Sequence, residues 1–174
     1  MLSNMTLNEI IKIFIEFMSN AGYEIIPPDS LISEAFPTTF NVSGGPNFVD
    51  YYLEENVHKS LNSAVIQYCV RHWDYENVGD GKHLSFFEMP VAFCINSFPR
   101  KKLYQDYLNL ITKHLGVPIE RLWITVFSGG EVHGKFFPRD DEAIEILNKR
   151  TNITLTKDKV IQIDVIDRDP KIAA

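Results

Sequence analysis

Between Gln67 and Met89 the chain reads QYCVRHWDYENVGDGKHLSFFEM, its densest run of polar and aromatic residues. Two apolar stretches, 65–70 and 85–92, flank the connector NVGDGKH with its glycines at 79 and 81, which predicts an antiparallel hairpin with a long tip. Side chains alternate across a strand, so Gln67, Cys69 and Arg71 share one face while Tyr68 and Val70 share the other. On the returning strand Ser85, Phe87 and Met89 share a face, opposite Phe86 and Glu88. An arginine and an aromatic ring on neighbouring strands suit a polyanionic ligand with a flat base. Guanidinium gives bidentate hydrogen bonds to phosphate, and the ring stacks. The competing arrangement pairs Arg71 with Asp74 or Glu76 on a solvated rim and places Phe87 in the core; the residues alone leave both open.

Other chemistry is weaker. His58, His72, His83, His114 and His133 do not recur at metal-ligand spacings, so no metal residues are assigned. Cys69 lies in an apolar strand, where a thiol behaves as a small hydrophobe, not a nucleophile. Ser128-Gly129-Gly130 offers backbone donors to an anion but reads more simply as a turn. Asp140 and Asp141 read as a helix start.

These residues sit in a chain of 174 residues with 45% hydrophobic and 23% charged side chains, a folded composition the size of one domain, expected to span 1–174. The two cysteines, Cys69 and Cys94, form no C-x-x-C pair and fit a reducing, cytoplasmic compartment. No apolar run is long enough for a membrane span or a secretion signal. Acidic residues outnumber basic ones by 23 to 17, for a net charge of −6, which argues against DNA binding.

The positioning elements follow from periodicity. Thr6 and Glu9 form a capping box for a helix carrying Leu7, Ile10, Ile11, Phe14, Phe17 and Met18, with Gly22 as its stop. A short strand is expected at Ile25-Ile26 before Pro27-Pro28, and another at Thr39–Val42. A second helix is predicted from Lys101 to Leu115, burying Leu103, Tyr107, Leu108, Ile111 and Leu115, with Gly116 at its C-cap. Leu122–Phe127 reads as a strand, 128–139 as a loop, and Asp140 or Asp141 caps a helix through Ile144 and Leu147 to Lys149-Arg150. The segments 153–155 and 160–166 read as antiparallel strands joined across Lys157-Asp158. Helices among antiparallel hairpins, with no βαβ rhythm and no glycine fingerprint, give an α+β fold.

The stretch from Gln67 to Met89 resembles motif 2 of the class II catalytic domain of alanyl-tRNA synthetases, a pattern met here by Gln67, Cys69, Arg71, Asp74, Glu76, Asn77, Val78, Gly79, His83, Phe87, Glu88 and Met89. Upstream, TTFNVSGGPNFVDYY resembles the family's motif 1 neighbourhood, and downstream ERLWITVF and DDEAIEIL resemble the segments after motif 2. The resemblance implies an antiparallel sheet flanked by helices, a partial class II core that binds bent ATP with Mg²⁺. It marks Arg71 for the α-phosphate, Phe87 for stacking on adenine, and Met89 for a place near the base. Asp74, Glu76 and His83 would shape the loop and meet the outer phosphates or the acceptor end of tRNA.

The sequence departs from the family after FFEM, continuing as PVAFCINSFPR, and Lys82 stands where arginine is usual. Motif 3, the amino-acid pocket, the tRNA-recognition helices and the editing domain have no counterpart in these 174 residues, so the chain reads either as a shortened paralogue or as one part of a split or longer protein. The implied activity is ATP-dependent activation of a small amino acid, with tRNA or a carrier as acceptor; alanine–tRNA ligation is not expected of this chain alone. The alternative is a non-catalytic paralogue acting as a dimerisation, regulatory or partner-binding module, as a homodimer or with a synthetase.

Overall fold

The computed structural model describes residues 5–32, 39–48, 51, 60–122, 124–132, 134–151 and 160–163. Contacts divide the chain into two units, residues 4–98 and residues 99–174 together with 1–3, each with its own core.

In the first unit α1 (Leu7–Asn20) starts where the capping box puts it. The Glu9 N–H donates to Thr6 Oγ1 at 3.3 Å, and the Glu9 carboxylate accepts from the Thr6 N–H at 2.7 Å. The helix buries Phe14 and Met18 and ends ahead of Gly22. Two long strands, β2 (Leu61–Val70) and β3 (Phe86–Ile95), pair antiparallel along their length, so β3 runs past its expected end at Ala92. A short β1 (Glu24–Ile25) lies beside β2 but runs parallel to it, so the sheet is mixed where an antiparallel one was expected. The strand expected at Thr39–Val42 is absent; only Phe40 forms an isolated bridge, to Ile32. This segment makes single backbone bonds to two neighbours instead of a strand ladder, the Asn41 N–H donating to the Leu31 carbonyl and the Asn41 carbonyl accepting from Val70. Phe48, on a 3₁₀ turn (Pro46–Phe48), joins Leu61 and Val65 in the core.

In the second unit α2 (Arg100–Asn109) runs straight into a π turn (Leu110–His114), not an unbroken helix to Leu115. The extra residue in the turn changes the helical phase. Leu110 becomes the deeply buried side chain, while the expected stripe of Leu103, Tyr107, Leu108, Ile111 and Leu115 is only half-buried. Gly116 closes the end as expected, the Val117 N–H reaching back to the Ile111 carbonyl. The loop expected at 128–139 holds a small hairpin, β5 (Gly130–Val132) with β6 (Lys135–Phe137), preceded by β4 (Ile124–Phe127). Asp140 caps α3 (Asp141–Thr151), its carboxylate accepting from the Ala143 N–H at 3.1 Å, and Ala143 and Leu147 pack on Val126. β7 (Val160–Ile163) pairs parallel to β4. The antiparallel partner expected at 153–155, and the Lys157-Asp158 turn, lie outside the described residues.

Candidate functional site

The register of β2 and β3 sets the site. Cys69 stands opposite Phe87 and Gln67 opposite Met89, so Gln67, Cys69 and Arg71 share one face with Phe87 and Met89, as the alternation predicts. Arg71 leaves the end of β2, half-buried, and its backbone N–H donates to the Ser85 carbonyl at 2.8 Å. Its Nε donates to the Val42 carbonyl at 3.1 Å, and its guanidinium carbon lies 5.1 Å from the centre of the Phe87 ring. The Asp74 N–H donates to the Arg71 carbonyl at 3.3 Å, but among the described residues no side-chain hydrogen bond or ion pair links the Arg71 guanidinium to Asp74 or Glu76, so the rim pairing considered from sequence is not the arrangement found. Phe87 is half-buried and keeps a ring face for its neighbour.

The surrounding residues hold this pair in place. The Gln67 side chain, fully buried, accepts from the Asp29 N–H at 2.9 Å and donates to the Asp29 carbonyl at 3.1 Å. Asn41, also buried, donates through Nδ2 to the Ser30 carbonyl at 2.6 Å. The segment that supplies the Val42 carbonyl is thereby fastened to β2. Gly44, two residues on, lies so close to Val91 of β3 that any side chain there would collide with it. Burial pushes the Cys69 thiol up from its ordinary pKa, with the Arg71 charge only partly opposing, which leaves it a poor nucleophile.

At the hairpin tip a 3₁₀ turn (His72–Asn77) carries Asp74 and Glu76, and the chain returns through a tight turn built on Asp80. Asp80 accepts from the backbone N–H groups of Lys82, at 2.7 Å, and His83, at 2.9 Å, and from the His83 ring at 2.6 Å. These bonds, that from the His83 backbone first, hold its carboxyl down to about 2. In return the bond to Asp80 and its charge raise the His83 pKa, with Asp74 adding to the field. Of the residues singled out from sequence, Arg71, Phe87 and Met89 thus share a face, and His83 feels Asp74, while Glu76 stays exposed on the turn. Sequence reading missed Asp80, although an Asp two and three residues before backbone donors is a recognisable Asx-turn signal. It also missed Val42, whose role is carried by a carbonyl and leaves no side-chain signature.

The profile of the family described as tRNA synthetases class II (A) matches residues 9–168. The chain belongs to this family. Among its class II relatives, an alanine–tRNA ligase of Treponema denticola is 32% identical over 160 residues, 90% of this chain and 26% of that protein. One from Solibacter usitatus is 32% identical over 169 residues, 94% of this chain and 18% of its own length. One from Rubrobacter xylanophilus is 34% identical over 131 residues, covering 75% of this chain and 15% of the relative. This class II synthetase chain therefore spans between 15% and 26% of the length of these relatives. No helix among its described residues is long and apolar enough to cross a membrane.

Proposed function

We propose that the chain is a cytoplasmic nucleotide-binding protein that takes ATP on the Arg71–Phe87 face and activates a small amino acid. The observation that carries this reading is the juxtaposition of guanidinium and ring at 5.1 Å on adjacent strands. Cation–π contact at an accessible site contributes only about 0.5–1 kcal/mol. A charge-assisted hydrogen bond contributes about 1.5–3 kcal/mol, so a phosphate draws the guanidinium off the ring. The vacated ring face then accepts the base, with Met89 beside it. Val42 keeps the arginine stem from swinging away during the exchange.

In the reaction a carboxylate oxygen of the amino acid attacks the α-phosphorus. The bond from that phosphorus to the bridging oxygen breaks, and pyrophosphate leaves with the electron pair. Arg71 holds the α-phosphate and spreads its charge; proton transfer is not required. Among the described residues no group of three or more His, Cys, Asp or Glu could hold a metal ion. Magnesium enters with ATP as part of the substrate. Asp74, Glu76 and His83 belong on the outer-phosphate or acceptor side, with tRNA or a carrier as the final acceptor.

Calorimetric titration with MgATP, followed by amino-acid-dependent pyrophosphate exchange, tests the reading. Binding and exchange are expected for the wild type, with a loss of at least tenfold in affinity for Arg71→Ala. Absence of heat from the folded protein would overturn it. One observation favours a second reading, a partner-binding paralogue: Tyr68, Trp73, Tyr75, Leu84 and Phe86 are all exposed around the hairpin. That reading expects no nucleotide binding together with a homodimer or a complex with a synthetase.

A further inference from the structure

The opposite face of the same hairpin holds a cavity that the nucleotide reading does not use. It measures about 330 Å³ and lies between α1 and the sheet, walled by Ile11 and Ile15, by Pro27 and Pro28, and by Ile66 and Tyr68. This is the small end of the range for organic ligands. Among the described residues one charged side chain lines it, Glu88, which stands directly across the strands from Tyr68. Its Oε2 is shielded from solvent and has no hydrogen-bond partner among the described residues. A buried carboxylate oxygen without a donor is unfavourable, and among the described residues no lysine, arginine or histidine lines the cavity to supply one.

The geometry points to a binding site for a small monocationic amine with an apolar body. The ammonium donates to the Glu88 carboxylate, which turns to bring its shielded Oε2 to the cavity, and the apolar body replaces water along the isoleucine and proline walls. Tyr68 presents an aromatic ring at the side where the charge sits, and this ring lies parallel to that of Phe86 with centres 6.4 Å apart. An anion is repelled by Glu88, and a neutral molecule leaves Oε2 no better satisfied than a weak donor allows. The site is independent of Arg71 and Phe87, which face the other way.

The test is a titration of the full chain, with isoleucine methyl groups labelled, using phenethylammonium chloride. Saturable shifts are expected at Ile11, Ile15 and Ile66, with binding at least tenfold weaker for the neutral analogue 2-phenylethanol and absent for 3-phenylpropionate. Glu88→Gln should weaken amine binding at least tenfold while leaving the MgATP titration unchanged. Because Glu88→Gln could compromise folding, Ile15→Trp provides a second variant that fills the groove and retains the carboxylate; it should abolish the shifts at Ile11 and Ile66. Equal binding of amine and alcohol, undiminished binding in either folded variant, or no saturable shift in the wild type would overturn the proposal. None of these outcomes bears on the nucleotide site.

Discussion

Gly44→Ala is expected to destabilise the first unit by about 2–3 kcal/mol, the upper part of the overpacking range. A Cβ on Gly44 would lie 3.0 Å from Val91 Cγ1 and 3.2 Å from Val91 Cβ, with Cγ2 closer still. Ordinary carbon contacts fall near 3.5–4.0 Å. Since all three side-chain atoms of Val91 crowd the point, turning its χ1 cannot clear the clash, and a β-branched residue has little rotamer freedom to spend. Nor can the strand retreat easily, because Val91 is paired with Val65, which is 1% exposed. For a chain of this size the loss corresponds to a fall in Tm of about 4–12 °C. Urea unfolding followed by far-ultraviolet circular dichroism should show a lower midpoint at unchanged slope. Val91→Ala alone loses buried methyl groups, but combined with Gly44→Ala it makes room for the new one. The double variant should therefore be more stable than the sum of the two single changes predicts, by at least 1 kcal/mol or so. Strict additivity would refute the packing argument.

Two further outcomes follow. The His83–Asp80 pair gives a pH signature: with the His83 pKa raised above 6.5, its contribution is fully present below pH 6.5 and is lost as pH rises through the raised value. Asp80, lowered from 3.8 to about 2, contributes above pH 3.8 and loses that contribution as pH falls through about 2; Asp80→Asn should return the His83 midpoint, read by NMR, towards 6.5. In the second unit, Asp140→Ala should cost about 1–2 kcal/mol in denaturant titration, because Asp140 both caps α3 and accepts from Arg100 Nη2 at 2.6 Å. Asp140→Asn, which keeps the cap, should cost less.

Much of the site was legible because it is local. Thr6 and Glu9 announce their helix by spacing, and alternation gives the faces of each strand, while the β2–β3 register is what brings Arg71 to the side of Phe87. The parts that were not legible depend on long-range pairing or on backbone phase. β7 lies parallel to β4, a partnership that nothing in VIQI encodes. A single inserted residue at the π turn moves burial onto Leu110, although the stripe of leucines fits an ideal helix well. The β5–β6 hairpin escaped because EV and KFF are too short to show alternation; Gly129, whose missing Cβ leaves room for the Arg139 backbone at 2.8 Å, is the trace of that fold-back. For Arg71 the rim pairing with Asp74 or Glu76 is replaced by a bond to the Val42 carbonyl, a partner with no side-chain signature.

The bonds that end on Arg71 form a closed circuit. From β2, Gln67 grips Asp29; Ser30 and Leu31 hold Asn41; Asn41 returns to Val70, and Val42 meets the guanidinium that leaves the same strand. Pro27 and Pro28 have no N–H to offer, so the backbone ladder that joins β1 to β2 cannot simply continue, and the Gln67 amide bridges the gap as a surrogate strand. The aim of Arg71 is therefore a surveyor's traverse that begins and ends on one baseline. An error in any leg shows up as misclosure at the next bond, so the bearing of this side chain is checked by the fold from two directions.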